Sequence, residues 1–210
     1  MTSKLKYSII GASGHAGVII DELIKIDSSV DIILFDDNLD QKCIDYSVSG
    51  SIDDLILQKA FKDRKTIIGI GENILRKEIY KKLRNLNGIE FSNVISKDAV
   101  VSKFANLGNG NLIVAGALVN HGVTIGNNSI VNSSASIDHE CTIGSNVHVA
   151  PGVNLAGNVC VGDDVLIGIG SAIAPNITIG ENCVIGAGSV VIRDVEANSK
   201  VFGNPAHEKK

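Results

Sequence analysis

The segment Val131-Asn-Ser-Ser-Ala-Ser-Ile137-Asp-His-Glu-Cys-Thr-Ile143-Gly-Ser-Asn-Val-His-Val149 carries an aliphatic residue at every sixth position. The same phase runs outward without a break, from Ile95 through Val101, Leu107, Ile113, Val119 and Ile125 on one side to Leu155, Val161, Ile167, Ile173, Ile179, Ile185 and Val191 on the other. Two positions before each aliphatic residue the side chain is usually small or β-branched, as at Ala117, Ala135, Cys141, Val147, Val165 and Ser171. In a strand those two side chains point the same way. Gly often follows the aliphatic residue, at Gly108, Gly126, Gly144, Gly162, Gly168, Gly180 and Gly186, where it is expected to tolerate the unusual dihedrals of a corner. A period of six puts successive aliphatics on different sides of a helix, so the run excludes α-helix. Short strands alternating with corners, three to a turn of about 18 residues, stack into a prism around one aliphatic column. Seventeen hexads predict between five and six coils of a parallel β-helix.

Residues 1–88 follow another grammar. Lys6–Ile10 is an apolar strand, followed by Gly11-Ala-Ser-Gly14-His15-Ala-Gly17 and an amphipathic helix from about Val18 to Ile26. Strands at Val30–Phe35 and Thr66–Ile70 and helices at Asp53–Gln58 and from Gly71 to Arg84 complete an alternating pattern, which implies a small parallel sheet. Asn87-Gly88 reads as a turn and domain boundary, dividing the chain into an α/β domain at 1–88, a Rossmann-like half, and an all-β domain at 89–210.

With 210 residues and a net charge of −4 from interspersed charges, the chain has no basic patch for nucleic acid. No run of about 18 apolar residues predicts a membrane span. The start of the chain, Met1 to Ile10, runs into a strand and lacks the apolar core and cleavage site of a signal peptide. Cys43, Cys141, Cys160 and Cys183 show no CxxC pairing. Cys141 and Cys183 fall on inward positions of the repeat, as does either Cys160 or its neighbour Val159, so the thiols are expected to be reduced and cytoplasmic.

The glycines of the first loop are spaced GxxGxxG. A glycine turn between strand and helix lets backbone N–H groups approach an anion, and the helix N-terminus favours negative charge there. Asp36 stands where an acidic residue would meet a ribose. A tight turn that binds nothing is the plain alternative. The domain is half of a dinucleotide fold, so a mononucleotide suits it better, such as the nucleotide end of a sugar nucleotide. In the repeat, His139 lies two residues past Ile137, at an outward corner, where a histidine can act as a general base. Glu140 could raise its basicity and Asn132 could orient it; a solvated surface histidine is the alternative. His121 precedes His139 by one coil and is the rival base, while His148 is half a coil round, able to face His139 only across a subunit interface. Gly157 stands one coil above His139, its N–H available to an oxyanion. His207 lies in the tail.

With these residues in view, the chain resembles the bacterial left-handed β-helix acetyltransferases of nucleotide-linked amino sugars, most of all the UDP-4-amino-sugar N-acetyltransferases of the bacillosamine pathway. Perosamine N-acetyltransferases and sialic acid O-acetyltransferases are relatives. The resemblance rests on Gly11-Ala-Ser-Gly-His15, Asp36-Asp37, Ile70-Gly71-Glu-Asn with Arg76, Asn132 through Cys141, and Gly203-Asn-Pro-Ala206. It implies a left-handed prism that binds acetyl-CoA, a homotrimer with active sites between subunits, and no metal. It further implies that Ser13, Gly14 and His15 contact the substrate near its diphosphate. Asp36 and Asp37 would hold the uracil or ribose end, with Gly71 lining the same cleft. His139 would be the base, supported by Glu140; His148 would approach the acetyl thioester. Gly157 N–H would bind its oxyanion, and Ile169 and Ala187 would meet the pantetheine arm. Asp138, often Glu or another polar residue in the family, receives no role, and the His-Glu-Lys-Lys tail departs from the family pattern.

Three other readings compete. O-acetylation of a sialic acid-type sugar would use the same residues. A zinc-dependent carbonic anhydrase on the same prism would need a His-x₄-His pair, which is absent. A catalytically silent sugar-nucleotide binder would have no use for His139-Glu140.

Overall fold

The computed structural model describes residues 4–208. The chain divides into two compact units, Met1–Lys97 and Asp98–Lys210. The first contains β1 (Lys6–Ile10), α1 (Gly14–Ile26), β2 (Asp31–Phe35), β3 (Lys42–Cys43), β4 (Tyr46–Ser47), α2 (Ile52–Leu57), β5 (Lys65–Ile68), α3 (Asn73–Leu83) and β6 (Glu90–Phe91). Its sheet has the order β2-β1-β5-β6, all parallel. Ile10 and Ile68 share a buried cluster with Ile52 and Leu55 of α2 and Ile79 and Leu83 of α3. Alternation turns Ile9 and Ile67, both wholly buried, to the opposite face. The division falls beyond Gly88 because Glu90–Phe91 adds a fourth strand beside β5. The β3–β4 hairpin has two-residue strands, too short for alternation to announce it.

In the second unit each hexad becomes a two-residue strand whose second residue points inward. Three faces result. The first holds the strands ending at Ile113, Val131, Val149, Ile167 and Ile185; the second those ending at Val119, Ile137, Leu155, Ile173 and Val191; the third those ending at Leu107, Ile125, Ile143, Val161 and Ile179. The pairing is parallel at an offset of one coil, Ile137 to Leu155 and Ile143 to Val161. Every repeat aliphatic from Ile113 to Val191 is buried, whereas Val101 and Leu107, like Ile95 near the end of the first unit, are half-buried. Strand N–H groups donate to the next coil, as from Thr142 to Val159 at 2.9 Å.

The glycines after the aliphatic residues do not have positive φ; that conformation falls two residues later, at Asn128, Asn146, Asp164 and Asn182. Their role is steric. A Cβ on Gly162 would stand 2.6 Å from Glu181 N, and one on Gly168 would stand 2.6 Å from Ala187 N. The polar inward residues answer a different need. Ser129 Oγ donates to Gly144 O (3.1 Å), Cys141 Sγ to Ala156 O (3.2 Å) and Ser171 Oγ to Gly186 O (2.9 Å), so each satisfies a corner carbonyl inside the prism. At the ambiguous pair, Val159 is the inward residue and Cys160 is exposed. Among the described residues no helix is long and apolar enough to cross a membrane.

This arrangement predicts opposite outcomes for two substitutions in adjacent coils. Ile143→Ala, at a wholly inward site, is expected to cost about 2–5 kcal/mol in urea unfolding. Cys160→Ala, on the outer side of the same face, is expected to change stability by less than about 0.5 kcal/mol.

Candidate active site

The corner between the second and third faces stacks His121, His139 and Gly157 in consecutive coils. The His121 and His139 rings lie 5.9 Å apart between centroids and 21° from parallel. Above, Nε2 of His139 lies 2.6 Å from where a Cβ of Gly157 would stand, so only glycine leaves the ring its place. Asp138 Oδ1 accepts from His139 N at 2.7 Å and from Asn120 Nδ2 at 2.9 Å. The His139 N–H bond, supported by Asn120, holds the Asp138 carboxyl below the usual carboxylate range. Asp138, to which the sequence assigned no role, therefore anchors the backbone of the histidine.

Nδ1 of His139 faces Glu140 Oε2 at 3.4 Å. A proton on Nδ1, toward the carboxylate, leaves the Nε2 lone pair to accept another. His121 has no such partner: its backbone N–H is held by Asn120 Oδ1 at 2.9 Å, and no side chain among the described residues hydrogen-bonds its ring. Glu140 has φ +61°, in the left-handed region, where the equivalent positions of the other coils carry Gly122, Asn158 and Asn176. A carboxylate kept where Gly or Asn is the unstrained choice points to a use for that carboxylate.

Gly157 ends a ladder. In the coils below, the N–H at this turn is taken by the side chain of the preceding residue, Asn120 for His121 and Asp138 for His139. Before Gly157 stands Ala156, which has no side-chain acceptor, and the Gly157 N–H has no partner among the described residues. Beside this corner, on the outer side of the second face, runs a groove of about 500 Å³ lined by Leu118, Asn120, Ser136, Asp138, Asn154 and Ala172, among others.

The opposite edge of that face carries Asn132, Ile169 and Ala187. Asn132 does not orient His139 of its own chain: seven residues apart, they leave different corners. Its Oδ1 accepts from Ser133 N at 2.8 Å, which turns Nδ2 toward His148 Nε2 at 3.1 Å. His148 Nε2 is therefore the acceptor, and the proton sits on Nδ1. His148 is buried on the first face, so one chain does not bring His139 and His148 together. Ile169 and Ala187 are exposed at successive corners, and His207 is exposed in the last strand pair.

In the first unit, α1 begins at Gly14, four residues before the expected start, so Gly14, His15 and Gly17 belong to its first turns. No side chain caps this helix, and Ser13 holds the N-cap position. Asp36 is committed to the loop: Oδ2 accepts from Ala12 N at 2.8 Å and Oδ1 from Asn38 N at 2.9 Å. Asp37 Oδ1 accepts from Ile52 N at 3.1 Å, and its other oxygen has no partner among the described residues. The His15 ring lies against Gly71. Burial, reinforced by the Arg76 guanidinium, lowers its pKa, so near pH 7 it is a neutral hydrogen-bonding ring. Arg76 itself is buried and donates to Ile70 O, Gly71 O and Asn73 Oδ1. A cleft of about 430 Å³ opens between Gly11, Asp36 and Asp37 at the strand ends, Ile52, Ile70 and the α3 residues Leu75, Glu78, Ile79 and Lys82. These α3 residues carry no motif, and only the packing of α3 brings them to the cleft. Among the described residues no group of three His, Cys, Asp or Glu is arranged to hold a metal ion.

Residues 6–83 match the family model described as the PglD N-terminal domain, and residues 122–157 and 158–193 match the bacterial transferase hexapeptide model. The acetyltransferase domain of PglB from Neisseria gonorrhoeae FA1090, solved in complex with acetyl coenzyme A, is 30% identical with a TM-score of 0.92, over 99% of this chain and 100% of that one. PerB from Caulobacter crescentus, in complex with CoA and GDP-perosamine, is 32% identical with a TM-score of 0.90, over 98% and 97% of the two chains. WeeI from Acinetobacter baumannii AYE is 26% identical with a TM-score of 0.88, over 98% and 100%. No curated protein sequence matches the chain.

The strained carboxylate yields a prediction in which stability and activity move in opposite directions. Glu140→Asn is expected to raise unfolding stability by about 1 kcal/mol by relieving the left-handed conformation, while lowering turnover. Glu140→Gln, which keeps the strain and removes the charge, should lower turnover with no gain in stability. Urea unfolding and kcat measured on both variants check this.

Proposed function

Because the chain belongs to the hexapeptide-repeat N-acetyltransferases of nucleotide sugars and is an acetyl-CoA-dependent acetyltransferase, we propose that it acetylates the 4-amino group of a nucleotide-linked 4-amino-4,6-dideoxy sugar, UDP-linked, by direct transfer. The observation that carries this reading is the corner column, in which a carboxylate-paired imidazole lies beside an N–H that has no partner among the described residues. The neutral sugar amine attacks the thioester carbonyl, the C–N bond forms, and the carbonyl oxygen becomes an oxyanion that the Gly157 N–H can receive. Nε2 of His139 accepts the amine proton. The C–S bond then breaks, and the CoA thiolate takes that proton from the imidazolium as it leaves, restoring the neutral base. A cysteine nucleophile is not needed, and burial pushes the Cys43, Cys141 and Cys183 thiols up, away from thiolate character.

In this reading the first unit holds the nucleotide. The uncapped N-terminus of α1, with Ser13, Gly14 and His15, suits a diphosphate. The Asp37 oxygen that has no partner among the described residues suits a donor on the base or ribose, while Asp36 braces the loop and Gly71 gives room to His15. Ile169 and Ala187 would meet the pantetheine arm along their corner. The opposite edges of the second face support a homotrimer, in which the Asn132–His148 edge of one copy meets the His139 edge of the next. The buried thiols suit a cytoplasmic setting.

The decisive experiment offers acetyl-CoA with UDP-4-amino-4,6-dideoxy-N-acetylglucosamine, with dTDP- and GDP-linked 4-amino counterparts, and with sialic acid, following products by mass. Rapid acetylation of the UDP-linked amine, with kcat lowered about 10²–10⁴-fold in His139→Ala, is the expected result. Acetylation of the sialic acid hydroxyl alone would move the enzyme to O-acetyl transfer, and a His139→Ala variant with near-native kcat would remove His139 as the base. Gly157→Ala is expected to lose most activity as well, because its methyl group takes the space of the imidazole; near-native kcat in that variant would contradict the packing.

A further inference from the structure

We propose that His121 is a positioning residue for the reaction: its ring is the lower plate of a clamp whose upper plate is the Gly157 backbone, and the clamp holds the His139 imidazole in its reactive orientation. This rests on His139 being the base.

The contacts available to His139 require such a device. Its side chain is 48% exposed, and the one polar ring contact it makes among the described residues, to Glu140, spans 3.4 Å between two exposed groups. A contact that long and that exposed fixes a ring weakly. The two flat surfaces remain. Gly157 closes the ring from above, with His139 Nε2 and Cε1 occupying the space of a missing side chain. From below, His121 lies 5.9 Å away at 21°, within the range of an aromatic pair.

The backbone keeps the two rings in register. Asn120 Oδ1 holds His121 N, Asp138 Oδ1 holds His139 N, and Asn120 Nδ2 donates to Asp138 Oδ1, so adjacent turns are tied through their side chains. Glu140 N also donates to His121 O at 3.1 Å. No side chain hydrogen-bonds the His121 ring among the described residues, so none of them joins it to a proton relay. A planar surface is what it offers, and holding a base in a near-attack orientation is a contribution to rate rather than to substrate affinity.

The test compares His121→Ala, His121→Phe and His139→Ala in the full-length protein, with acetyl-CoA and UDP-4-amino-4,6-dideoxy-N-acetylglucosamine as the substrate pair. In His121→Ala, kcat is expected to fall about three- to tenfold with both KM values unchanged, and His121→Phe is expected to restore it. The free protein supplies a second readout independent of turnover: the ¹³C–¹H order parameter of His139 Cε1, measured by NMR relaxation, should fall in His121→Ala and recover in His121→Phe. An unchanged order parameter or native kcat in His121→Ala would overturn the proposal. So would a His121→Phe variant as slow as His139→Ala, because His121 would then be moving a proton. Native kcat in His139→Ala would instead sink the base assignment, while the order parameter would still report whether His121 holds the ring.

Discussion

Everything in the second unit follows from one constraint: each coil must place its backbone about 4.8 Å from the next and donate to it. Thr142 N–H finds Val159 O and Cys160 N–H finds Ile177 O only if every turn has the same length. That repetition builds the aliphatic column, and it also puts residues one coil apart directly above one another. His121, His139 and Gly157 form a stack for this reason, without contacts selected for each separately. A rigid ladder is a good place for catalytic groups, because position along the sequence becomes position in space with little freedom left over.

The His139 corner departs from the ladder in three ways, each with a chemical consequence. Glu140 takes a left-handed position that its neighbours give to Gly or Asn, bringing a carboxylate to the imidazole. Gly157 stands where a side chain would displace that imidazole. Ala156 interrupts the run of side-chain acceptors that begins with Asn120 and Asp138, leaving the Gly157 N–H without a partner among the described residues. The exposed groups gain order from stacking and from backbone anchoring rather than from burial. The first unit works by a different logic. There Asp36 is consumed in holding the glycine loop, and the loop in turn presents an uncapped helix N-terminus beside a cleft.

The repeat was legible because one coil measures 18 residues, so the spacing of Ile95 to Val191 already states which side chains face inward. The positions of His139 over His121 and beneath Gly157 follow from the same arithmetic. The glycines after the aliphatic residues were legible in place and not in cause: they relieve close approach between coils, while the left-handed turn falls two residues later on Asn and Asp.

By itself, then, the sequence determined the β-helix, the βα alternation of the first unit and the column of His121, His139 and Gly157, because periodicity converts directly into geometry. Tertiary structure alone decided the partners. Asn132 turns to His148 and away from His139, Asp36 is spent on Ala12 and Asn38 while Asp37 keeps one oxygen, and Asp138 becomes the anchor of the His139 backbone. Leu75, Glu78, Ile79 and Lys82 reach the cleft only because α3 packs there. A carboxylate or amide has several donors within reach, and which one it takes depends on the direction in which a corner or helix points it, which no spacing encodes.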